Sequence, residues 1–112
     1  MEKLTKIESY EQLNEVLDKE KIIVLYFSSI DCSVCQAMKP KFDECLRDYQ
    51  EVGLYDIELD SFPLLRGEYS IFAAPTVVFI HEKKEIFRES RMININHFLE
   101  RMERFMKMAR EV

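Results

Sequence analysis

From Tyr10 the apolar positions recur at Leu13, Val16 and Leu17. These are the steps of one helix face, and Ser9 stands where an N-capping hydroxyl belongs. The following stretch, KIIVLYF, is apolar at every position after Lys21 and rich in β-branched and aromatic residues, which predicts a strand buried on both faces. A second helix is predicted from Ser33 to about Gln50, with Met38, Phe42, Cys45, Leu46 and Tyr49 on one stripe. Pro40 removes a backbone donor inside it, so a kink is expected near Gln36–Lys39, and Gly53 is read as its terminator. Leu54 to Asp60 then alternates as a strand does, with Tyr55, Ile57 and Leu59 on one face. Phe62-Pro63 opens a turn and Leu64 to Tyr69 reads as a short helix. Pro75 introduces a strand from Thr76 to Ile80, and His81-Glu82-Lys83-Lys84 forms a polar turn into a hairpin partner, Glu85 to Arg88. The last helix is predicted from about Asn94 to Met108, with Ile95, Phe98, Leu99, Met102, Phe105, Met106 and Ala109 along one side.

This order predicts an α/β fold. The strand–helix–strand start requires a parallel pair joined by a right-handed crossover, and the late hairpin adds antiparallel strands. Helices should then cover both faces of a mixed sheet of four to five strands. A chain of 112 residues fits one domain, 1–112.

Charge narrows the class of partner. The formal net charge is -5, so neither nucleic acid nor an anionic membrane is an expected partner. The acid is concentrated early: residues 1–80 carry 8 Lys and Arg against 15 Asp and Glu, whereas 81–112 carry 8 against 6. MEKLTKIESYEQL shows neither a long apolar run nor a small-residue cleavage site, so no signal peptide is expected. The apolar run Ile22–Phe27 is too short to span a membrane. A cytoplasmic location is expected, and an odd cysteine count suits a secreted disulfide framework poorly.

The candidate chemistry lies in SSIDCSVCQ, where Cys32 and Cys35 stand three positions apart. A structural zinc site needs about four ligands. The chain offers only Cys45, His81 and His97 besides this pair, and none stands at zinc-finger spacing. Cys45 lies on the apolar stripe of the predicted helix and reads as an inert thiol. His81 in a turn and His97 at a helix start read as surface residues. A static disulfide is disfavoured in a reducing compartment. A C-x-x-C at a strand-to-helix junction has another use. Unpaired backbone N–H groups and the helix dipole favour a thiolate on the first Cys. The second, one turn on and partly covered, is placed to resolve a mixed disulfide.

KIIVLYFSSIDCSVCQAMKP, followed by IFAAPTVVFI, resembles a thioredoxin-family domain over nearly the whole chain. The resemblance implies a thiol–disulfide oxidoreductase with Cys32 as the attacking nucleophile and Cys35 as the resolving thiol. It implies a cis Pro75 beside the sulfurs, with the backbone of Ala74 holding an extended client segment. Ile30 and Asp31 would border that segment, and Ile30 with Ala73 and Ala74 would supply an apolar patch suited to protein clients. No metal or organic cofactor is implied, since the electrons reside in the sulfurs. The implied partners are disulfide-containing proteins and a thioredoxin reductase or other thiol reductant.

The chain departs from the family's pattern at several of these positions. Asp31 replaces the usual Trp before the first Cys, and Ser33-Val34 replaces Gly-Pro. Glu89-Ser90-Arg91-Met92 replaces a Gly-rich loop. Asp31 disfavours a thiolate on Cys32 and the helix terminus favours it; the terminus is expected to prevail. Tyr26 stands at the position of a buried acid and reads as a core aromatic whose hydroxyl finds a partner. Asp56 stands where the family's Lys does. It is a candidate proton relay to Cys35, although the simpler expectation has it facing solvent. Two rivals remain: a thioredoxin-like binding or redox-sensing module without efficient turnover, and a glutaredoxin-like enzyme. The second would require a basic or polar groove near the cysteines, and none is evident.

Overall fold

The structure, a computed structural model, describes residues 2–110. In chain order the elements are β1 (Thr5–Lys6), α1 (Tyr10–Lys19), β2 (Ile22–Ser28), α2 (Ser33–Leu46), β3 (Val52–Glu58), α3 (Leu64–Glu68), β4 (Thr76–His81), β5 (Lys84–Ser90) and α4 (Ile95–Arg110). The five strands form one mixed sheet in the order β1-β3-β2-β4-β5. β3 runs parallel to β1 and β2, while β4 is antiparallel to both of its neighbours.

The continuous apolar run of β2 is explained by its central place. Alternate side chains enter two separate cores, as the strand period requires. Val24 and Tyr26 join Cys35, Phe42 and Leu46 of α2 and Phe98, Met102 and Met106 of α4. Ile23, Leu25 and Phe27 join Leu13 of α1 and Leu65 of α3 on the other side. The helices therefore cover both faces of the sheet, as expected. Ser9 caps α1 by accepting the Gln12 N–H at 3.0 Å, and the Asn94 carboxamide oxygen accepts the His97 N–H at the start of α4.

Several details differ from the sequence expectation. β1 was not foreseen: it is two exposed residues long and has no pattern to detect. It is secured from outside the sheet, because the Asp43 carboxylate on α2 accepts the Lys3 and Leu4 backbone N–H groups at 2.5 and 2.7 Å. The second helix stops at Leu46 rather than near Gln50. The Tyr49 and Val52 N–H groups bond back to Leu46 and Tyr49 in tight turns that lead into β3. Gly53 does not terminate a helix but lies inside β3. A Cβ there would meet the ends of the Glu20 and Tyr55 side chains, which hydrogen-bond to each other and would have to shift to admit it.

Candidate active site

β2 ends at Ser28 and delivers the chain through Ser29-Ile30-Asp31 to Cys32, the N-cap of α2. Cys32 is half-buried and Cys35 fully buried, and the two are joined in a disulfide. The Cys35 N–H points at Cys32 Sγ, at 3.1 Å. This is an unpaired helix N-terminal donor of the kind that favours negative charge on the capping sulfur.

The loop before Cys32 is fastened from the end of β3. Asp60 Oδ2 accepts the Ile30 N–H at 2.8 Å and the Ser29 hydroxyl at 3.1 Å. These two bonds hold the Asp60 carboxyl below its ordinary range. Opposite the disulfide runs Ala73-Ala74-Pro75, with a cis Ala74–Pro75 bond. The Ala74 carbonyl oxygen lies 3.8 Å from Cys32 Sγ. A disulfide sulfur has no proton to give, so this is a contact in the oxidised state and becomes a donor–acceptor pair only with a thiol. The Thr76 hydroxyl donates to Ala73 O, and the Arg91 N–H donates to Pro75 O at 2.8 Å. Arg91 takes a left-handed conformation, φ 66°, and brings Met92 to the same end of the sheet. Cys32, Cys35, Ala74 and Pro75 are thus brought together as expected, with Ile30 and Asp31 exposed on the approach.

Tyr26 and Asp56 both lie beneath α2. Tyr26 is fully buried and its hydroxyl donates to the Cys35 carbonyl at 2.8 Å. Burial first, and then the Asp56 carboxylate, push its phenol well above the ordinary range. Asp56 is the register partner of Tyr26 across the parallel β2–β3 pair and is only 6 % exposed, so the solvent-facing expectation fails. Its Oδ1 accepts the Ser28 hydroxyl at 2.8 Å, and its Oδ2 lies 2.9 Å from Lys39 Nζ of α2.

Four further residues were not singled out from the sequence. Lys39 had a signal, the four-residue helical step from Cys35. Asp60, Phe72 and Met92 had none, since each sits in an irregular segment. Phe72 and Met92 are 90 % and 96 % exposed and, with exposed Ile30 and Val34, leave apolar side chains on all the segments that meet at the disulfide. Cys45 is a half-buried free thiol. No cluster of three or more metal-ligating side chains occurs among the described residues.

The thioredoxin family model matches residues 3–104. The chain belongs to the thioredoxin family. It is 31% identical over 85 residues to thioredoxin H5 of Oryza sativa subsp. japonica, covering 76% of this chain and 61% of the rice protein. It is 23% identical over 104 residues to the thioredoxin-like protein YdfQ of Bacillus subtilis, covering 93% of each. The matches to two Arabidopsis thioredoxins span 56% and 51% of those proteins' lengths. Among solved structures, a poplar thioredoxin h mutant superposes with TM-score 0.86 at 17% identity, over 95% of this chain and 84% of that one, a likeness of fold. Membership of the thioredoxin family and the Cys32–Cys35 pair together support a thiol–disulfide oxidoreductase. No helix among the described residues is long and apolar enough to cross a membrane.

Proposed function

We propose that this thioredoxin-family chain is a single-domain protein-disulfide reductase working in the cytoplasm. The observation that carries the reading is the asymmetry of the pair: a half-buried Cys32 capping α2, bonded to a fully buried Cys35. In the dithiol state Cys32 attacks a client disulfide as a thiolate, and one client sulfur leaves. Cys35 then attacks Cys32 Sγ, the second client sulfur leaves, and the Cys32–Cys35 bond closes. Ile30, Asp31, Ala74 and Pro75 border the client segment, and Asp56 accepts the proton of Cys35. A thioredoxin reductase or small thiol returns the pair to the dithiol.

Turnover of insulin disulfides with dithiothreitol as electron source tests this. The protein should accelerate the reaction, Cys32→Ser should abolish it, and Cys35→Ser should accumulate the client as a mixed disulfide. No acceleration from a pair that still cycles would leave a binding or redox-sensing module. A reduction potential near about -270 mV fits a reductant, whereas one near about -120 mV fits an oxidant.

A further inference from the structure

The chain between α3 and β4 brings the Ala74 carbonyl to Cys32 Sγ, and β5 supplies donors at both of its ends. Where α3 ends, the Arg88 guanidinium of β5 takes up two backbone carbonyls. Its Nη2 donates to Tyr69 O at 2.7 Å and its Nη1 to Ser70 O at 3.1 Å. Ser70 is left-handed there, φ 53°, a conformation that costs a residue with a Cβ and persists where its surroundings hold it. At the far end the Ser90 hydroxyl of β5 meets the Thr76 hydroxyl at 3.0 Å, and Thr76 in turn donates to Ala73 O. The Arg91 N–H, just past β5, takes Pro75 O. Arg88 is itself fixed. Glu85 accepts from its Nε and Nη2 at 2.7 and 2.6 Å, and its side chain is only 29% exposed. Residues three apart on a regular strand face opposite ways. Here the pairing with β4 steps from Phe87 to Glu85 and leaves Ile86 as an extra residue, so the bulge brings Glu85 and Arg88 to one side.

We propose that Arg88 is a positioning residue for client capture: its fork, braced by Glu85, sets how the segment from Phe72 to Pro75 stands over Cys32, and so how tightly a protein client is held. The inference rests on the reading of Ala74 and Pro75 as a border of the client segment. Arg88 acts through the Tyr69 and Ser70 carbonyls and not on the sulfurs. The planar guanidinium serves two carbonyls and a carboxylate at once, which the single point charge of a lysine does not reproduce. Loosening this end of the segment should therefore weaken the hold on an extended protein client. The thiol chemistry of Cys32, which the N-terminus of α2 supports, should be untouched.

Two assays on the same variants separate these effects. Steady-state reduction of insulin, with dithiothreitol as electron source, reads client capture. Single-turnover stopped flow with a small symmetrical aromatic disulfide reads attack by Cys32, through the first thiolate released. Arg88→Met should raise KM for insulin about five- to tenfold and leave kcat within about twofold, the pattern of lost binding and not of lost chemistry. The first thiolate release and the reduction potential of the pair should stay at their wild-type values. Arg88→Lys, which keeps the charge but not the fork, should raise KM about two- to threefold. A merely structural role would lower the melting temperature and leave KM of the folded protein unchanged. The inference is overturned by a wild-type KM in folded Arg88→Met, or by an equal loss with the small disulfide, which would put the effect at the sulfur. Should Arg88→Met fail to fold, Arg88→Lys decides, and a wild-type KM there overturns the inference too. If wild-type protein does not reduce insulin, or Cys32→Ser still does, the parent reading fails instead.

Discussion

Asp60 fastens the approach to Cys32 through two hydrogen bonds, to the Ile30 N–H and the Ser29 hydroxyl. It stands where a small change should alter reaction geometry more than stability. Asp60→Ala should lower kcat/KM for a protein disulfide by about three- to tenfold, because misplacing reacting groups costs rate even without loss of fold. A melting curve on the same variant should move little. The Ile30 N–H, followed by the Ser29 hydroxyl, lowers the Asp60 pKa in the folded protein. The fastening is therefore fully present above the ordinary carboxylate range and is lost only as pH falls through that lowered value. Between pH 5 and pH 8 the rate profiles of Asp60→Ala and wild type should run parallel, which pH-resolved kinetics would check. Sequence alone could not reach this residue: Asp60 reads as the end of an alternating run, whereas β3 stops at Glu58 and only the turn after it decides what Asp60 meets. Lys39 and Asp56 differ in this respect. Sequence spacing already places Lys39 a helical turn from Cys35, but the register that sets Asp56 beside Tyr26 and the burial that pairs it with Lys39 required the fold.

Among the elements, β1 owes its place to α2. It pairs with β3 through only two residues, while Asp43 takes the Lys3 and Leu4 N–H groups and the Arg47 guanidinium. Burial works against the Asp43 charge, but the Leu4 N–H, Arg47 and the Lys3 N–H outweigh it and lower the pKa. Asp43→Asn should cost about 1–3 kcal/mol, the usual loss when buried charge-assisted hydrogen bonds are weakened, measurable by urea denaturation. Hydrogen exchange should show Ile7, whose N–H bonds to Asp56 O, opening earlier than the central strands. The native contribution is present above the ordinary carboxylate range and disappears as pH falls through the lowered Asp43 value, so wild type and variant should converge in acid. The long elements were legible because burial writes periods of two and 3.6 into the sequence. The β4–β5 turn was located, but its length was not. It is two residues rather than four, with Glu82 and Lys83 both left-handed, φ 49° and 71°, where turn preferences lead one to look for Asn-Gly.

For the molecule as a whole, the reactive end of the sheet combines one accessible sulfur with an apolar rim. Ile30 and Val34 from the cysteine segment, Phe72 and Met92 come from three separate stretches of chain, and all are exposed. Large apolar side chains left in water around a reactive group mark a contact surface. Replacing Phe72 and Met92 together with Ser should reduce kcat/KM for a protein disulfide by about tenfold, on the scale of losing one well-packed contact residue, and much less for a small aromatic disulfide. Steady-state kinetics with both substrates would check this. The fold and the sulfur couple were readable from spacing and resemblance, but the rim was not, because exposed loop residues carry no period. The buried salt link has a further consequence for engineering. Its ammonium travels with the helix that bears the cysteines, whereas its carboxylate stays with the neighbouring strand. Transplanting residues 32–46 into a relative's scaffold would separate the two and leave each stranded, so the helix and strand must be moved as one cassette.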